Sequence, residues 1–93
     1  MSELSRLIDL IEIRLAMVPA WKYEDRDSWA AHESAVGKII DDLVEREDAR
    51  FAQSGCGGFS LKLGGVRTSC TSGEHGLLKN WVTAARRRMA VQA

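Results

Sequence analysis

Two cysteines, Cys56 and Cys70, and two histidines, His32 and His75, are the first side chains to test for chemistry in this 93-residue sequence. A structural zinc site takes its ligands in close pairs, Cys-x₂₋₄-Cys or His-x₃₋₅-His, and none of the four stands in such a pair. A disulfide is not expected either: the sequence shows no export signal, and the hairpin register derived below turns Cys56 and Cys70 to opposite sides. Cys70 and His75 lie five residues apart across the start of a helix, whose N-terminus favours a thiolate. No oxyanion device accompanies them. There is also no phosphate loop, no Gly-x-Ser-x-Gly elbow and no metal carboxylate motif. The residues point to no reaction and to no cofactor, and Cys70 reads as a small core side chain.

Charge carries more. The net charge is zero, yet residues 1–50 hold seven Lys/Arg against twelve Asp/Glu, and residues 51–93 hold six against one. So balanced a chain has no bulk attraction for nucleic acid, but a local basic face is compatible with it. Lys62 and Arg67, flanked by Ser60 and Ser69, together with Lys79, Arg86 and Arg87, form the expected partner-binding set. Their natural counterpart is an acidic surface on a host protein or protein complex; nucleic acid phosphates are the alternative. A third reading puts Asp41, Asp42 and Glu45 at the working surface, where they would mimic the charge of nucleic acid. Each has a structural counterpart. Lys62 and Arg67 can answer the chain's own carboxylates, the arginines suit a helix C-terminus, and the acidic run suits a solvated helix face.

These side chains need elements to hold them. Leu4, Leu7, Ile8, Ile11, Leu15 and Val18 recur at helical spacing from Ser2, a candidate N-cap, to Pro19, and Leu10, Ile13 and Met17 widen the stripe. A face this wide is expected to be covered within the one chain. Trp21, Tyr23 and Trp29 fall in and just after a charged connection, where aromatics usually plug the end of a core. Asp27 or Ser28 can cap a second helix with apolar positions Trp29, Val36, Ile39, Ile40, Leu43, Val44 and Phe51. Running on to Phe51, it would be about 36 Å long at 1.5 Å per residue.

Gln53 to Gly58 breaks the pattern, and Phe59, Leu61 and Leu63 then alternate with Ser60 and Lys62 in the period of a half-buried strand. Gly64-Gly65 suits a two-residue hairpin loop with positive φ at both positions. Pairing then places Leu63 opposite Val66, Lys62 opposite Arg67, Leu61 opposite Thr68, Ser60 opposite Ser69 and Phe59 opposite Cys70. Two cations opposite each other repel, so something other than folding accounts for them. Thr71-Ser-Gly-Glu74 matches a capping box, and Leu78, Trp81, Val82, Ala85 and Met89 form the buried stripe of a third helix.

The expected fold is therefore α+β, a single domain over residues 1–93 in the order α-α-β-β-α, with helices on one face of a two-stranded antiparallel hairpin. The two hairpin edges are open, and pairing them in a homodimer is one way to close them. No stretch approaches the roughly 20 apolar residues that cross a bilayer, and Met1-Ser-Glu-Leu-Ser-Arg lacks the features of a secretion signal, so a cytoplasmic chain without a membrane partner is expected.

The segments Leu63-Gly-Gly-Val-Arg-Thr-Ser-Cys-Thr-Ser-Gly and Leu77-Leu-Lys-Asn-Trp-Val-Thr-Ala-Ala-Arg-Arg-Arg resemble the hairpin-then-helix of small orphan proteins of bacteriophages and prophages. The resemblance covers roughly the last third of the chain and transfers no residue roles. It implies a class, non-catalytic proteins that occupy a host protein's surface, as anti-CRISPR and other inhibitors of bacterial defence complexes do.

Overall fold

The computed structural model describes residues 3–20, 22–53, 57–71 and 73–92. The element order is α1 (Glu3–Ala16), α2 (Arg26–Arg46), β1 (Arg50–Gln53), β2 (Phe59–Leu63), β3 (Val66–Cys70) and α3 (Glu74–Gln92). Ser2, Trp21 and Cys56 lie outside the described residues.

The α+β class holds, but the sheet has three antiparallel strands in the order β1-β2-β3 rather than two. The expected second helix ran to Phe51; α2 instead stops at Arg46, and the next residues form the added strand. The stop lies in the backbone. Asp48 adopts a left-handed conformation with φ of 60°, and the amides of Glu47 and Ala49 both donate to the Leu43 carbonyl, at 2.9 and 3.1 Å. The Ala49 bond reaches back six residues and ties the chain beyond Asp48 to the last turn of α2, where Ala49 and Leu43 are both buried. Aspartate is one of the few non-glycine residues that enter this region readily, which hid the terminus from a search for glycine or proline.

The hairpin register agrees residue for residue with the expectation: Lys62 pairs with Arg67, Leu61 with Thr68 and Phe59 with Cys70. Gly64 and Gly65 close it with φ of 60° and 81°. On the other side β1 pairs Arg50 with Lys62, Phe51 with Leu61 and Ala52 with Ser60. One edge of the hairpin is thus already taken within the chain, so any pairing through hairpin edges is left with β3.

Leu61, Leu63 and Val66 point from the sheet into a core completed by Leu77, Leu78, Trp81 and Ala85 of α3, Leu4, Leu7, Ile8 and Ile11 of α1, and Val36, Ile39, Ile40 and Leu43 of α2. Trp81, fully buried, donates its indole N–H to the carbonyls of Leu63 at 3.1 Å and Val66 at 3.2 Å, locking the hairpin turn to α3. The α1 stripe is covered within the chain, as expected, except that Ile13 and Met17 stay exposed. Tyr23 is also exposed and plugs nothing.

Two helix starts differ from expectation. Asp25 caps α2, its Oδ1 accepting from the amides of Asp27 and Ser28. In α3 the Gly73 carbonyl accepts from the Leu77 amide and Glu74 is the first helical residue, so Glu74 is not at the third position that a capping box with Thr71 requires.

Candidate partner-binding surfaces

Because side chains alternate across a strand, the face of the sheet turned away from the core is set by the same register that buries Leu61 and Leu63. Two rows cross it. Arg50, Lys62 and Arg67 form one, and Ala52, Ser60 and Ser69 the other. Neighbouring strands lie about 4.8 Å apart, so the outer two cations are carried by backbones roughly 10 Å apart. All three cations are exposed. The ion pairs among the described residues are Arg6 with Glu3 and Glu47, Arg14 with Asp42, and Arg86 with Glu12, and none reaches this row. Among the described residues, then, no carboxylate is ion-paired with Lys62 or Arg67. No aromatic residue stands in either row. Beside it an open depression of about 630 Å³ is lined by Phe59, Ser60, Arg67, Ser69, Thr71 and Asn80.

Arg50 is the residue that sequence reasoning missed. Its signal was available only to a reading that ended α2 at Asp48, because inside a helix Arg50 has no relation to Lys62.

The cations of α3 do not join the row. α3 packs on the inner face of the sheet: Asn80 donates to the Ser69 carbonyl at 3.3 Å along the β3 edge, and Arg88 donates to the Gly65 carbonyl at the hairpin turn. Arg86 points to α1, where it pairs with Glu12, and Lys79 lies beside His75 on the flank toward α2. Lys79, Arg86 and Arg87 are exposed, and Lys79 and Arg86 are turned toward His75 and Glu12 rather than toward Ser60, Lys62, Arg67 and Ser69. The acidic set divides as well. Asp42 pairs with Arg14 at 3.0 Å, facing α1, whereas Asp41 and Glu45 line a shallow depression with Arg50 and Phe51 beside β1.

The histidines come together across the fold. His32 of α2 and His75 of α3 have ring centroids 5.0 Å apart, in a cleft of about 450 Å³ that also contains Trp29, Glu33, Phe59 and Glu74. Burial raises the Glu74 carboxyl pKa and the nearby Glu33 and Asp41 raise it further, while burial lowers the His75 pKa with Lys79 and His32 adding to the effect. Helical spacing within each helix does not predict this juxtaposition. Among the described residues no group of three or more His, Cys, Asp or Glu is arranged to hold a metal ion. No helix of the described residues is long and apolar enough to cross a membrane. Comparisons with protein-family models, with curated proteins and with solved structures found no match to this chain.

Proposed function

We propose that this chain is a non-catalytic binding module that covers an acidic protein surface with the outer face of its sheet. The observation that carries the reading is the row Arg50, Lys62, Arg67, three cations on adjacent strands with no ion-pair partner among the described residues. Like charges directly opposite one another across strands cost stability, each pair by about 0.2–1 kcal/mol. A partner bearing carboxylates at matching spacing turns that cost into attraction, which governs encounter rate and partner choice more than affinity. Within the class implied by the hairpin-then-helix resemblance, the partner is a host defence complex and the effect is inhibition by occupation.

Nucleic acid is the less favoured partner. Neither row of the face carries an aromatic residue on which unpaired bases could stack, and three cations make a small phosphate footprint.

A photo-crosslinker placed at Ser69, beside the row, tests the proposal in the cells of the chain's source. A protein adduct that disappears in the Lys62→Glu, Arg67→Glu double variant supports it. An adduct that survives the double reversal overturns it. So does a duplex or single strand retarded at low salt and released steeply as salt rises.

A further inference from the structure

We propose that the cleft between α2 and the start of α3 binds an organic cation, an alkylammonium or guanidinium head seated against Trp29 and the carboxylates of Glu33 and Glu74. This site is independent of the sheet face and opposite to it in charge.

The cleft, at about 450 Å³, falls within the 300–1,000 Å³ range typical of small-ligand pockets. Its lining combines apolar Val36 and Phe59 with Trp29, two imidazoles and two carboxylates. Trp29 stacks on His32 with ring centroids 6.4 Å apart and planes 19° from parallel, while 43% of Trp29 remains exposed. An indole face of this kind attracts a cation through its quadrupole, most strongly where water is partly excluded.

The polar groups agree in sign. His32 Nδ1 lies 3.0 Å from the Pro19 carbonyl, which can only accept, so Nδ1 carries the proton and neutral His32 keeps Nε2 as an acceptor. Neither Glu33 nor Glu74 has an ion-pair partner among the described residues. Glu74 lies against α2 at Gly37, where an added Cβ would come 3.7 Å from its Oε2. The negative charges of Glu33 and Asp41 then bear on a half-buried carboxylate that has no ion-pair partner among the described residues, and burial first, with these charges adding to it, raises the Glu74 pKa. A bound cation supplies the missing charge.

The groups facing the cleft are His32, Glu33 and Asp41 from α2 and Glu74, His75 and Lys79 from α3, while β2 contributes the uncharged Phe59. Acid protonates Glu74 and charges His75, and both changes oppose a cation. Binding therefore weakens as pH falls below neutral.

The test is an NMR titration of the full chain with N-acetylarginine amide and, separately, with a short peptide carrying one central arginine. Saturable shifts at the Trp29 indole and at the His32 and His75 rings are expected, smaller at pH 5 than at pH 7. Glu74→Gln and Trp29→Leu should each weaken binding about tenfold, the scale of one charge-assisted contact. If the peptide binds more than tenfold tighter than the amide, the cation belongs to a partner protein; comparable affinities identify a free ligand. The proposal is overturned if neither probe gives saturable shifts, or if a Glu33→Gln, Glu74→Gln double variant that still melts in one cooperative transition binds both as before.

Discussion

Single residues in this chain act mainly by what they allow a neighbour to do. Gly64 illustrates this. It holds φ of 60°, and a Cβ placed on it would lie 2.9 Å from Leu7 Cδ1 and 3.1 Å from Leu4 Cδ2. Gly64→Ala therefore combines backbone strain with overpacking between the turn and α1 and should cost about 2–4 kcal/mol in urea unfolding. Trp81→Phe keeps most of the apolar volume but leaves the Leu63 and Val66 carbonyls without their indole donor, a loss of about 1–3 kcal/mol. Glu74 works in the other direction. Its raised pKa means that the carboxyl adds stability when protonated, below its unfolded value of 4.5, and that this is lost as pH rises through the folded value. Glu74→Gln should stabilise the chain at pH 7, with the gain over wild type vanishing near pH 3. His75 has the opposite sign: its pKa is lowered, so its contribution is present above 6.5 and lost as pH falls through the folded value. Unfolding of Glu74→Gln and of His75→Gln at several pH values separates the contributions.

At the scale of elements, the decisive event is the end of α2. The left-handed turn at Asp48 converts an expected last turn of helix into β1, and β1 places Arg50 beside Lys62. Glycine meets the same backbone requirement without a Cβ, so Asp48→Gly should leave the sheet intact and stabilise it by about 0.5–1 kcal/mol, whereas a β-branched Asp48→Val should fray β1. The middle strand offers a sharper test. Lys62 faces cations on both sides, so Lys62→Glu makes two attractive pairs from two repulsive ones and should raise stability by about 0.5–2 kcal/mol. The same substitution should abolish capture of an acidic partner. Folding and binding then respond in opposite directions to one change, which a purely structural role for Lys62 does not produce.

Over the whole molecule, charge is distributed by face rather than by half of the chain. The acidic helices use part of their charge internally, with Arg6 joined to Glu3 and Glu47, Arg14 to Asp42 and Arg86 to Glu12. The sheet's cations are left over. Association with an acidic partner should accordingly slow severalfold between about 0.02 and 0.15 M salt, as the screening length falls to about 8 Å, with a smaller change in dissociation rate. Stopped-flow or surface-binding kinetics would show this directly.

The register of the hairpin was legible in the sequence down to single pairs, because alternation has period two and the two glycines leave one way to close the loop. The three helices and the centres of their buried stripes were legible for a similar reason, as periodic burial is written locally, although Trp29 and Val44 stay exposed and the buried Leu77 was not in the expected stripe. The composition of the candidate surfaces was not. Arg50 joined the sheet only through the backbone turn at Asp48, Lys79 and Arg86 were separated from Lys62 and Arg67 by the side of the sheet on which α3 packs, and His32 met His75, more than forty positions away in the chain, through the docking of α2 against α3. Each of these depends on how elements are placed against one another, and that placement follows from the shared core rather than from the pattern within any one segment.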